Sequence, residues 1–191
     1  MTQTTTDAAK ATDDAQTSDR VHDPIHHVSY SFRRDGDNLW VYTWLEDGGH
    51  LPEHFHPSIE EHWEVLDGTA RVKLDGSWRD LVPADGPLRV APNARHELRN
   101  TSGAETRLQT EVIPAGNLEE FLIDSARAAR EGLYNARNMP TSWRGAVWLA
   151  DLAMRSRNET VMCSPPPAVQ RVVLPLVARF ARRPATSSSP S

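Results

Sequence analysis

The chain has 191 residues, 25% of them charged and 38% hydrophobic, which fits one soluble globular domain with extensions and a real buried core. A formal net charge of −5 argues against nucleic acid as the main partner, because a phosphate-binding surface is normally basic. The single cysteine, Cys163, excludes an internal disulfide and suits a reducing compartment. No basic-plus-apolar leader and no apolar run of roughly 18 residues is visible, so the expected location is the cytoplasm and no membrane partner is expected.

In chain order, residues 1–22 are Thr, Asp, Ala and Gln with almost no apolar side chains. Such a segment buries too little surface to offset its ordering entropy, so a disordered tail is expected there, and a second one over residues 184–191. Residues 23–116 read as β throughout. Nine strands are expected: His26–Arg33, Leu39–Leu45, Gly49–His56, Glu61–Leu66, Ala70–Leu74, Trp78–Val82, Leu88–Ala91, Arg95–Asn100 and Thr106–Ile113. They are short and alternating, and Asp-Gly pairs at 35–36, 67–68, 75–76 and 85–86, with Asp47-Gly48-Gly49, break them as turns. Many short strands at regular spacing, with no helical pattern between them, predict an all-β core in the form of a sandwich, barrel or jelly roll.

After Pro114 the period changes, and residues 117–183 predict a helical extension packed on the barrel or on a partner subunit. Asn117 with Glu120 reads as a capping-box variant opening a helix that runs to Gly132. A second helix starts near Thr141 and carries Trp143, Val147 and Leu152. A third lies between Pro167 and Arg183, where Val169, Val172, Val173, Leu176, Val177 and Phe180 share one face and Pro175 marks a kink. Its arginines admit a membrane-surface reading, although an amphipathic helix docked on protein is the commoner explanation. No polar constellation in these helices points to chemistry.

The chemistry gathers at His54-Phe55-His56-Pro57-Ser58-Ile59-Glu60-Glu61. In a strand, positions i and i+2 project from one face roughly 6–7 Å apart. Both imidazoles therefore aim at one point, which Glu61 reaches from the next strand. Histidine with carboxylate is a ligand set for iron, manganese, nickel, cobalt and zinc. Taken alone, such a pair is more often a surface or core feature than a metal site.

Read as a longer unit, Gly48, His54, His56, Glu61 and Gly68 reproduce the spacing Gly-x5-His-x-His-x4-Glu-x6-Gly, and the stretch resembles the first motif of the cupin superfamily. Ala91-Pro92-Asn93-Ala94-Arg95-His96, with Asn100, resembles the second, Pro-x-Gly-x-x-His-x3-Asn. Ala91 replaces the usual proline and Asn93 the usual glycine, and Gly86 is one residue closer than the pattern expects. Asparagine tolerates a left-handed turn, so the backbone can absorb the change at 93. The resemblance implies an antiparallel jelly-roll barrel in which His54, His56, Glu61 and His96 hold one divalent metal. Fe(II) is favoured, with Mn, Ni, Co, Zn or Cu admissible, and one or two coordination positions stay open for a small-molecule substrate and O2. A dioxygenase is the first expectation. A non-redox isomerase or cyclase, or a non-catalytic ligand-binding cupin, is the alternative. Cupins commonly pair through strand edges, so a homodimer is expected.

Around the ligands, Trp63 shares the parity of Glu61 and should face inward as a stacking platform or a bare core residue. His62 should point away. Trp40, Tyr42 and Trp44 form an aromatic stripe that serves core or subunit packing more readily than a ligand wall. Glu111, like Gln109, falls either in the cavity or outside it.

Overall fold

The computed structural model describes residues 20–181. Among the described residues eleven strands are formed: β1 Val21–Asp23, β2 Val28–Asp35, β3 Asn38–Leu45, β4 His50–Phe55, β5 Glu60–Asp67, β6 Ala70–Leu74, β7 Ser77–Leu81, β8 Leu88–Val90, β9 His96–Arg99, β10 Thr106–Ile113 and β11 Val161–Met162. They pair antiparallel in two sheets, ordered β1-β2-β3-β10-β5-β8 and β11-β4-β9-β6-β7. This is the expected jelly roll, with three helices after it: α1 Leu118–Arg130, α2 Trp143–Ser156 and α3 Pro167–Ala178. No helix among the described residues is long and apolar enough to cross a membrane.

Turn chemistry sets the register. Asp75 and Gly76 both have positive φ, 46° and 87°, so β6 returns as β7 in a two-residue hairpin with Leu74 opposite Ser77. Gly68 is required for a different reason. Its φ is +83°, and a Cβ there would stand 2.8 Å from Thr106 Oγ1, where β10 passes.

The core lies between the sheets. Period-2 alternation sends Leu39, Val41 and Leu45 of β3 inward to meet Trp63, Val65, Val72, Leu98, Leu108 and Val112, all buried. Each such side chain contributes about 1.5–3 kcal/mol when fully removed from water. The alternate residues of β3 form the aromatic stripe on the outer face. Tyr42 stands there in register between Ser31 and Gln109, and the Arg20 guanidinium lies 3.6 Å from the centre of the Trp44 ring.

Several expectations are corrected. Val21–Asp23 pairs with Val28–Tyr30, so the barrel begins inside the stretch assigned to the N-terminal tail. Residues 1–19 and 182–191, which hold the rest of both tails, lie outside the described residues. His26 belongs to a turn, with β2 starting at Val28. Asn117 makes no side-chain cap. Its backbone N–H donates instead to the Glu159 carboxylate, which a side chain at position 116 would displace. α2, expected to start near Thr141, starts at Trp143 and is capped by Ser142 accepting from Gly145 N–H at 3.1 Å. α3 packs along α2, yet Val169, Val172, Val173, Leu176 and Phe180 stay exposed, so the apolar face is not buried on the barrel.

Candidate metal centre

β4, β5 and β9 converge on one point. The pairing of β4 with β9 slips between Leu51 and His54, and this bulge lets Leu51 and His54 both face inward. His54 pairs with His96 across the two strands. The turn at Asn93 holds the second motif against the first. Asn93 has φ 67°, and its N–H donates to His56 O at 2.8 Å, so asparagine fills the left-handed position that the motif usually gives to glycine. Asn100 is structural. Its buried amide donates to Leu45 O and Ala104 O and ties the end of β9 to the end of β3 and to the loop before β10.

The candidate ligand atoms of His54, His56 and His96 lie within 4.8 Å of one another. Nδ1 of His54 faces Pro52 O at 2.7 Å, that of His56 faces Glu159 O at 2.7 Å, and that of His96 faces Ala94 O at 3.0 Å. A carbonyl only accepts, so each Nδ1 carries the proton and each Nε2 presents a lone pair. Nε2 of His54 and Nε2 of His96 are 3.0 Å apart, and Nε2 of His56 is buried without a hydrogen-bond partner. Glu61 completes the group, with Oε1 3.6 Å from His56 Nε2 and Oε2 3.4 Å from His96 Nε2. Trp63 Nε1–H donates to the same carboxylate at 3.2 Å.

Electrostatics match the geometry. Burial lowers His54 to about 4, helped by His56, and burial likewise lowers His56 to about 4. His96 is pushed well down by burial and by the two neighbouring imidazoles. Burial raises Glu61 to about 6, against the pull of His54 and Trp63. At neutral pH the group is therefore three neutral imidazoles and one buried carboxylate, with lone pairs facing each other. That is the donor set a divalent cation requires.

His54, His56, Glu61 and Trp63 line a cavity of about 810 Å³. Its walls include Val41, Thr43, Leu51 and Leu108 of the barrel, with Phe121, Leu149 and Leu152 of the helical extension. Trp63 thus faces inward as expected. Tyr42 does not line the cavity, because its parity on β3 is opposite to that of Val41 and Thr43. Glu111 is outside as well. It stands opposite His62, with Oε2 3.4 Å from His62 Nδ1, and it accepts from Asn38. Gln109 likewise bonds Glu64, and His62 points outward to Glu60.

Sequence reasoning missed what holds His56. The link between α2 and α3 runs back to the barrel, where Ser58 donates to Asn158 O, the Glu159 carbonyl receives His56 Nδ1–H, and Val161–Met162 adds to β4 as β11. A backbone carbonyl has no side-chain signature. The only signal in the sequence was a short apolar pair, Val161-Met162, between two helices.

A two-sheet antiparallel jelly roll gathers histidines from two separate motifs on its inner wall, where they could hold a metal ion. The fold and the two motifs of the chain resemble those of the cupins. No family model matches it. An oxidoreductase of Arthrobotrys oligospora is 29% identical over 82 residues, which are 42% of this chain and 32% of that protein. Polyketide synthase CurC of Streptomyces cyaneus is 34% identical over 70 residues, 37% of this chain and 45% of that protein. The chain spans less than half the length of these two relatives. Among solved structures, the Cupin_2 domain of an XRE family transcriptional regulator from Enterobacter cloacae is 27% identical and covers 44% of this chain and 92% of its own, with a TM-score of 0.38.

Proposed function

We propose that the protein is a metal-dependent enzyme in which His54, His56, Glu61 and His96 hold one divalent metal, iron by preference, and which acts on a largely apolar organic molecule. The observation that carries this reading is the convergence of three Nε2 lone pairs and a buried carboxylate, one Nε2 wholly without a partner, on the wall of a large apolar cavity. Four protein donors leave one or two positions open on a five- or six-coordinate ion, as a catalytic site requires and a structural one does not. A bound metal would supply Lewis acidity or, if iron, the reactivity toward O2 that an oxygenase uses.

The chain's own residues prepare the rest. Three backbone carbonyls fix the imidazoles in the tautomer that presents Nε2, and Trp63 holds the Glu61 carboxylate in place. Apolar side chains from barrel and helices exclude water around the open face. Trp63, at the wall, offers a flat surface for a planar substrate.

Oxygenation is the first reading, and the oxidoreductase of Arthrobotrys oligospora is consistent with it. A non-redox cyclisation or isomerisation is the second, supported by the likeness to polyketide synthase CurC and by the predominantly apolar cavity. Oxygen consumption by iron-loaded protein with hydrophobic polyphenolic substrates tests the choice. Uptake stoichiometric with product supports the oxygenase, and product formed without uptake removes it.

A further inference from the structure

A second set of buried titratable side chains borders the same cavity at the β1–β2 turn. Asp23 Oδ2 faces His26 Nδ1 at 2.8 Å and accepts from Tyr134 O–H at 2.9 Å, while Oδ1 accepts from the backbone N–H groups of Ile25 and His26. Asp23 is 2% exposed and His26 7%. His26 and Tyr134 both line the cavity shared with His54, His56 and Glu61. The His26 ring is stacked on Tyr134 with centroids 5.6 Å apart and stands edge-on to His50 at 5.0 Å.

The tautomer follows from the partners. An ionised carboxylate only accepts, so His26 donates Nδ1–H to Asp23 and keeps its lone pair on Nε2. That Nε2 is buried and has no hydrogen-bond partner. A buried, unpaired acceptor is normally selected against, and here it belongs to a residue that lines the cavity and whose opposite nitrogen is held by a carboxylate, which is the arrangement of a poised base once a substrate seats against the ring. None of the cupin motif residues takes part.

We propose that His26 is a general base of the cavity, positioned by Asp23, and that the substrate carries an acidic O–H or an activated C–H, as a phenol or an enolisable ketone does. The proton passes from substrate oxygen or carbon to His26 Nε2. The electron pair stays on the substrate as phenolate or enolate, the imidazolium keeps its Nδ1–H on Asp23, and the proton later returns to the product. His26 touches His50 at the first residue of β4, and His54 lies four residues further along that strand, roughly 10–13 Å away by strand rise. An elongated, ring-rich molecule therefore reaches both ends. This inference rests on the reading that the cavity is the substrate site.

The probe is 2,6-dihydroxyanthraquinone, whose visible absorption reports phenol ionisation and whose hydroxyls are too far from its carbonyls to chelate a metal. Wild-type protein as purified is expected to show the ionised band of bound dye at a pH where free dye is neutral. His26→Leu is expected to bind the dye and leave it neutral, and Asp23→Asn to raise the pH needed for ionisation. His26→Asn serves if the leucine variant does not fold, as judged by thermal unfolding. Failure of wild type to bind or ionise the dye, or ionisation unchanged in the His26 variant, overturns the inference. Metal content measured on the same preparations separates the two readings, since loss of dye ionisation with metal retained confirms His26 independently of the ligands.

Discussion

The backbone carbonyl of Glu159 accepts a 2.7 Å hydrogen bond from Nδ1 of His56, across 103 positions of chain. The candidate metal site is therefore held partly by the helical extension, and the barrel alone does not complete it. The same residue's carboxylate receives Asn117 N–H at the start of α1, so one residue links a histidine of the site to the helix that helps close the cavity.

Glu159→Ala keeps the backbone carbonyl that His56 donates to and removes only the carboxylate that receives Asn117 N–H, so it is expected to cost about 1 kcal/mol of stability through the lost contact at the helix start with little change in metal affinity. Competition with a chromophoric chelator and urea unfolding measure the two effects. A large loss of affinity in this variant would contradict the assignment of the His56 contact to the carbonyl.

Trp63→Phe keeps a ring in the cavity but removes the N–H that reaches Glu61 at 3.2 Å. The expected outcome is a loss of metal affinity of about tenfold with little change in fold. Far-UV circular dichroism together with the chelator competition checks it.

Asn93→Val should cost roughly 1–2 kcal/mol, because a β-branched residue is forced to the left-handed φ of 67°. Asn93→Gly should be near neutral. Equilibrium urea unfolding of the two variants beside wild type decides this, and equal stability of both would contradict the turn assignment.

Asp23 carries an acid-side pH dependence. Burial pushes its carboxyl up, but the hydrogen bond and charge of His26, a backbone N–H and Tyr134 together hold it below the ordinary 3.8. Its ionised form is thus favoured by folding, so the stabilisation is complete above the unfolded value and is lost as pH falls through the lower folded one. The stability lead of wild type over Asp23→Asn should shrink between about pH 5 and about pH 2. A lead that grows on acidification would reverse the assignment.

Much of this was legible along the chain because it is local. Alternation and Asp-Gly turns mark Ala70–Leu74 and Thr106–Ile113 with the bounds the structure has. Strand spacing put His54, His56 and Glu61 within reach of one point, and the resemblance to the two cupin motifs added His96. What escaped depends on distant chain. Val21–Asp23 becomes a strand only because β2 is beside it, and Val161–Met162 only because β4 is. The parity of Tyr42 and Glu111 is set by which face of β3 and β10 meets the opposite sheet, and the Asp23–His26 pair gains its meaning only when Tyr134 and the helices close over it.

The most direct measurement is elemental analysis of protein purified without chelator beside a His54→Ala/His56→Ala variant. About one divalent metal per chain in the wild type and almost none in the variant is expected for an intact site of this ligand count. Equal, negligible metal in both would contradict the central claim.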